Sequence, residues 1–168
     1  MGMLDILNQY AGEPKAQSDT PAHFDEVASV ASPGTLGGGI ASMFRSTSTP
    51  PFGASVASLF GQSNATQRAG VLNEIARSLG PSALTAGGGV LGRLLGSSAH
   101  TAAGQAQTIT PDQASKLSPS EVSVLASHAE QQNPSVVDSI GSFYANHPTL
   151  VKTLGAAALA VAMSHMRR

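Results

Sequence analysis

Residues Gly87–Gly96 read GGGVLGRLLG, and two readings of this stretch lead to different folds. The spacing Gly87-x4-Gly92 is that of a phosphate-binding loop between a strand and a helix. Such a loop needs Lys and then Ser or Thr after the second glycine, to reach phosphate and magnesium. Arg93 and Leu94 stand there instead, and no strand pattern precedes them. The other spacing is Gly88, Gly92 and Gly96, each four apart. On a helix these share one face and leave a groove without side chains, into which another backbone fits. Val90, Leu91, Leu94 and Leu95 would flank it. Each mid-helix glycine costs about 1 kcal/mol relative to Ala, so such a helix needs a close contact to offset the cost. The plain alternative is a Gly-rich linker.

The flanking sequence repeats the helical theme. Pro, Gly and Ser clusters cut the chain into short pieces, most of them with helical period. Met3, Leu4, Ile6, Leu7 and Tyr10 mark an amphipathic helix ending at Gly12, followed by a linker over 13–21. Phe24, Val27 and Val30 continue the pattern, and Ser32-Pro33 is a cap with proline at the first helical position. A short echo follows: LGGGIASMF at 36–44 returns as FGASVASLF at 52–60. Two copies suit two similar helices packed as a pair, with Phe44 and Phe60 as anchors. Asn64-Ala65-Thr66-Gln67 resembles a capping box before the stripe Val71, Leu72, Ile75 and Leu79.

Residues 97–109, SSAHTAAGQAQTI, have no strong period. The expected organisation is an N-terminal helix and linker (1–21), a helical region with the echo (22–98), a flexible connector (99–109) and a C-terminal helical region (110–168). In that last region Thr110-Pro111-Asp112-Gln113 and Ser118-Pro119-Ser120-Glu121 are cap signals. Asn133-Pro134 starts a further helix, and Thr149 to Met166 reads as one final helix. No segment alternates with period two at strand length. The expected fold is all-α: a bundle of short, Gly- and Ala-rich, closely packed helices.

Composition agrees. Charged residues are 11% and aromatics 4%, with no Trp and 18 Gly in 168 residues; an ordinary domain is about 25% charged. The core must be built from small side chains. Net charge is −1 with no basic block, which argues against a nucleic-acid partner and leaves self-association unopposed by repulsion. There is no Cys, so disulfides and thiolate metal sites are excluded. The N-terminus has no basic region followed by an apolar run, and the longest apolar run, Leu154–Met163, is half a membrane span.

No constellation carries chemistry. His23, His100, His128, His147 and His165 form no i,i+3 or i,i+4 pair, and the acidic residues are isolated except for Asp25-Glu26 at a helix start. No catalytic, cofactor-binding or metal-ligating residue is assigned. The last helix is apolar all round, as a helix buried on every side would be. It is either the centre of a bundle or completed by a neighbouring chain.

LSPSEV at 117–122, QNPSVVD at 132–138 and FYANHPTLVKTLG at 143–155, with PPFGASVASLFGQSNATQRAGVLNEI at 50–75, resemble the bacterial YidB-like helical proteins. The resemblance implies a small helical bacterial protein; the expected compartment is the cytoplasm. It brings no activity, cofactor or catalytic residue.

The expected function is non-enzymatic self-association into a ring, shell or filament. Its expected interface residues are Gly88, Leu91, Gly92, Leu95 and Gly96 in the seam, Ala157, Leu159 and Val161 in the last helix, and Leu4 and Leu7 at the N-terminus. The alternative is a small binding module for an apolar ligand or the membrane interface, reached through the N-terminal helix.

Overall fold

In the computed structural model, which describes residues 2–11, 15, 17–80, 86–96 and 108–166, every element is helical. In chain order they are α1 (Met3–Gln9), α2 (Thr20–Val30), α3 (Pro33–Phe44), α4 (Phe52–Gln62), α5 (Ala65–Leu79) and α6 (Ala86–Gly96). There follow α7 (Pro111–Ala114), α8 (Pro119–Gln132), α9 (Val136–Ala145), α10 (Pro148–Val151) and α11 (Ala156–Met166). The fold is an all-α bundle, and none of the described helices is long and apolar enough to cross a membrane.

Caps set the boundaries. Ser32 Oγ accepts from the Thr35 N–H at 3.2 Å. Asn64 and Gln67 bond reciprocally at 2.9 and 3.0 Å. Thr110 and Gln113 do the same, as do Ser118 and Glu121. Each satisfies backbone donors that a helix start leaves orphaned. One boundary departs from the sequence reading. The stretch 149–166 is two helices joined by a 3-10 turn at Lys152–Leu154. Gly155 takes φ 93° between that turn and α11, in a region open to glycine and costly for other residues. The single helix expected there is therefore broken.

The core is one continuous cluster drawn from both halves of the sequence. α3 packs against α9 and α11, and α4 packs against α8. The two echo helices are thus not each other's partners. They touch through the Phe44 and Phe52 rings, 5.4 Å apart and edge to face. The boundary at 99–109 does not separate two cores, because the principal packings cross it. Residues 99–107 lie outside the described residues, but 109 is held: Asn73 Oδ1 accepts from the Ile109 N–H at 2.7 Å, and Asn73 Nδ2 donates to its carbonyl at 3.1 Å.

Glycines govern the crossings. A Cβ at Gly141 of α9 would lie 2.7 Å from the Gly37 carbonyl and 3.0 Å from the Ala41 nitrogen. One at Gly39 would lie 2.9 Å from the Ala162 carbonyl and 2.5 Å from Met166 Cγ. Real side chains do not approach backbone so closely, so α9 and α11 reach α3 only because these positions lack one. α11 then buries Ala158 through Met163 and Met166 within the chain. Of the two explanations for its apolar circumference, the bundle-centre one accounts for it.

Candidate interaction surface

α4 shapes a part of the surface that is concave and uncharged. Its inner face buries Phe52, Val56, Leu59 and Phe60. Near its start Gly53 fits against α8: a Cβ there would lie 2.6 Å from the Ser123 carbonyl and would overlap Ser127 Oγ. Near its end the same construction at Gly61 finds Pro119 Cγ at 3.8 Å, an ordinary contact. The helices therefore run antiparallel and diverge. The divergence opens a groove of about 550 Å3, walled by Ala54, Ala57, Ser58 and Gly61 of α4 and Ser120 and Ser123 of α8. None of its lining residues is charged. Ala54 and Ser58, and Ala57 and Gly61, are i,i+4 pairs, so small residues line up along one helix face.

The rims of the groove differ. Val124, four residues after Ser120, is 56% exposed, one of three large apolar side chains exposed among the described residues, with Leu4 and Val30. At the Gly61 end, Arg68 of α5 donates to the Phe60 and Gly61 carbonyls at 3.0 and 3.2 Å, its guanidinium 5.1 Å from the Phe60 ring centroid. Glu121, near that end, faces α6. It caps Ser118 and pairs with Arg93 at 3.7 Å. The Ser118 backbone N–H, then its hydroxyl, hold the Glu121 carboxyl below the usual carboxylate range. At the opposite end lies Glu130, three residues beyond Ser127 and so on the same side of α8.

Two buried polar features lie away from this groove. Tyr144 Oη has no hydrogen-bond partner. Burial pushes its pKa up, and the Ser63 hydroxyl only partly offsets that. Ser63 itself donates to the Leu59 carbonyl at 2.7 Å. Tyr10 Oη lies 2.9 Å from His23 Nδ1 and 3.2 Å from Thr20 Oγ1, pinning α1 to α2. Among the described residues no three His, Asp or Glu side chains gather as a metal site would.

The residues expected at an interface are scattered by this fold. Leu7, Leu91 and Leu159 are fully buried in the chain's own core and Val161 nearly so. They are core residues because α1, α6 and α11 turn their apolar faces inward, which corrects their assignment to a surface. Leu4 is 68% exposed, Ala157 is exposed and Gly92 is half-buried. The backbones of Gly88, Leu95 and Gly96 belong to α6, while their side-chain surroundings lie outside the described residues. The glycine stretch is thus helical, but Gly89 within it takes φ 79°, so its glycines do not form a regular stripe. Sequence reasoning missed the α4 face. Its signal is the echo itself, which suggests two similar helices packed as a pair, whereas each has a separate partner.

Compared with family models, curated proteins and solved structures, the chain matches none, and the likeness to YidB-like proteins rests on the quoted motifs alone.

Proposed function

We propose that the chain is a non-enzymatic helical protein that associates with copies of itself. The observation that carries this reading is the uncharged, small-residue face of α4 along the groove. Inside the chain the same kind of face is what lets helices meet at backbone distance. A face of that kind left open supports a further helix contact of the same sort. The YidB-like resemblance adds the expectation of a small bacterial protein without a cofactor. Light scattering tests the reading: the measured mass should exceed the 16.9 kDa of one chain and rise with concentration. A constant mass of one chain up to high concentration ends it.

One observation favours a second reading, a module that binds a small ligand. The groove volume lies in the range of ligand sites, about 300–1,000 Å3. The membrane form of that reading is less well supported, since Ile6, Leu7 and Tyr10 of α1 are fully buried and would have to leave the bundle first. Thermal shift against a panel of small apolar compounds separates the two readings.

A further inference from the structure

We infer that a second copy of the chain covers the α4–α8 groove across a two-fold axis, with α4 antiparallel to its counterpart and Val124 beside the axis. This rests on the self-association reading and specifies its surface.

The echo supplies the first argument. Gly37 and Gly53 are equivalent positions, and each receives a partner helix. Ala41 and Ala57 are the next small residues on those faces, one helical turn on. Ala41 lies under Gly141 and is 1% exposed, whereas Ala57 opens onto the groove. The same packing face is thus filled in the first copy and unfilled in the second.

Charge supplies the second argument and selects the occupant. The groove's floor is neutral, so two copies can face each other without repulsion. Its ends are not: at the Gly61 end Arg68 stands near the Arg93–Glu121 pair, leaving a net positive charge, and at the other Glu130 lies beyond Ser127 near the Arg45–Asp138 pair, leaving a net negative one. An antiparallel pairing about a two-fold axis sets each Arg68 end over the partner copy's Glu130 end, twice. A parallel pairing would set like against like. Val124 sits midway between Pro119 and Gln132 of α8, so the same operation brings it near its own copy and buries its exposed side chain.

The chain has no Cys, which makes the test direct. Val124→Cys in the full chain should give a covalent dimer under mild oxidation, because a disulfide needs Cα atoms within about 7 Å. Val30→Cys, equally exposed but on α2, should give little. Ala57→Arg should return the protein to one chain's mass with its melting temperature retained. Glu130→Lys should weaken association about tenfold, since two rim contacts are lost. If the unmodified protein associates but Val124→Cys cross-links no better than Val30→Cys, this surface is wrong and self-association stands. If the unmodified protein is a monomer, both fall.

Discussion

The helices α3 and α4 carry one sequence pattern and meet their partners at the same position of it, yet they end in different states. Gly37 of α3 receives α9, and Gly53 of α4 receives α8. α3 is then covered a second time, by α11, through Gly39. In α4 the equivalent residue is Ser55, whose hydroxyl turns back to the Pro50 carbonyl at 3.1 Å. Ser55 is buried as well, so α4 is covered on that side too, but with a side chain standing where α3 meets its neighbour backbone to backbone. The difference teaches that small residues in this chain do not mark flexibility. They mark how closely a neighbouring helix can approach.

Substitutions at these glycines probe that rule, and the largest effect is expected at Gly141. Gly141→Ala places a methyl group against two backbone atoms of α3, which cannot rotate away. It should cost about 3 kcal/mol, the upper end for overpacking, read as a lower midpoint in urea unfolding. An unchanged midpoint would mean that α9 and α3 are not this close.

The two echo positions come next. Gly53→Ala meets the Ser123 carbonyl, while Gly37→Ala meets Ser142 atoms at 3.1 to 3.4 Å. The first should cost about 2 kcal/mol and the second about 1. Gly38 has nothing within 4 Å, so Gly38→Ala should stabilise by about 0.5–1 kcal/mol through helix propensity. Neighbouring glycines of opposite sign would show that the partner, and not glycine content, decides.

The smallest effect concerns how the α3–α9 pair is latched. Arg45 holds Asp138 through two hydrogen bonds of 2.8 Å. That contact, chiefly the hydrogen bonding, keeps the Asp138 carboxyl below its usual range. A carboxylate depressed on folding contributes stability above its unfolded pKa, and the contribution disappears as pH falls through the folded value. Stability should therefore decline below about pH 4, with Glu121 adding to the loss. Asp138→Asn should flatten the decline slightly and cost under about 1 kcal/mol at neutral pH, since both partners are well exposed. Urea midpoints at pH 3 and pH 7 check this.

What the sequence made legible follows from the range of the forces involved. Caps are local: Ser32, Asn64, Thr110 and Ser118 bond within three residues of themselves, so four helix starts were readable without knowing the fold. Partner choice is not local. Nothing in LGGGIASMF distinguishes Gly38, which faces open space, from Gly39, which lies against α11. Regular spacing therefore points to a seam at Gly88, Gly92 and Gly96, and the close approaches lie instead at Gly37, Gly39, Gly53 and Gly141. Leu91, Leu159 and Val161 read as interface residues but lie in the core for a related reason. A helix apolar on every side shows that it is surrounded, but not whether the surroundings belong to its own chain.

The double coverage of α3 also bears on how the molecule comes into being. Its apolar residues Leu36, Ile40 and Met43 are translated about a hundred positions before α9 and α11, the segments that shelter them. At typical elongation rates that interval is roughly 5–20 seconds. Throughout it that apolar face lacks its native cover, so holding chaperones have a defined window in which to act, and a chain truncated ahead of α9 would keep the face exposed.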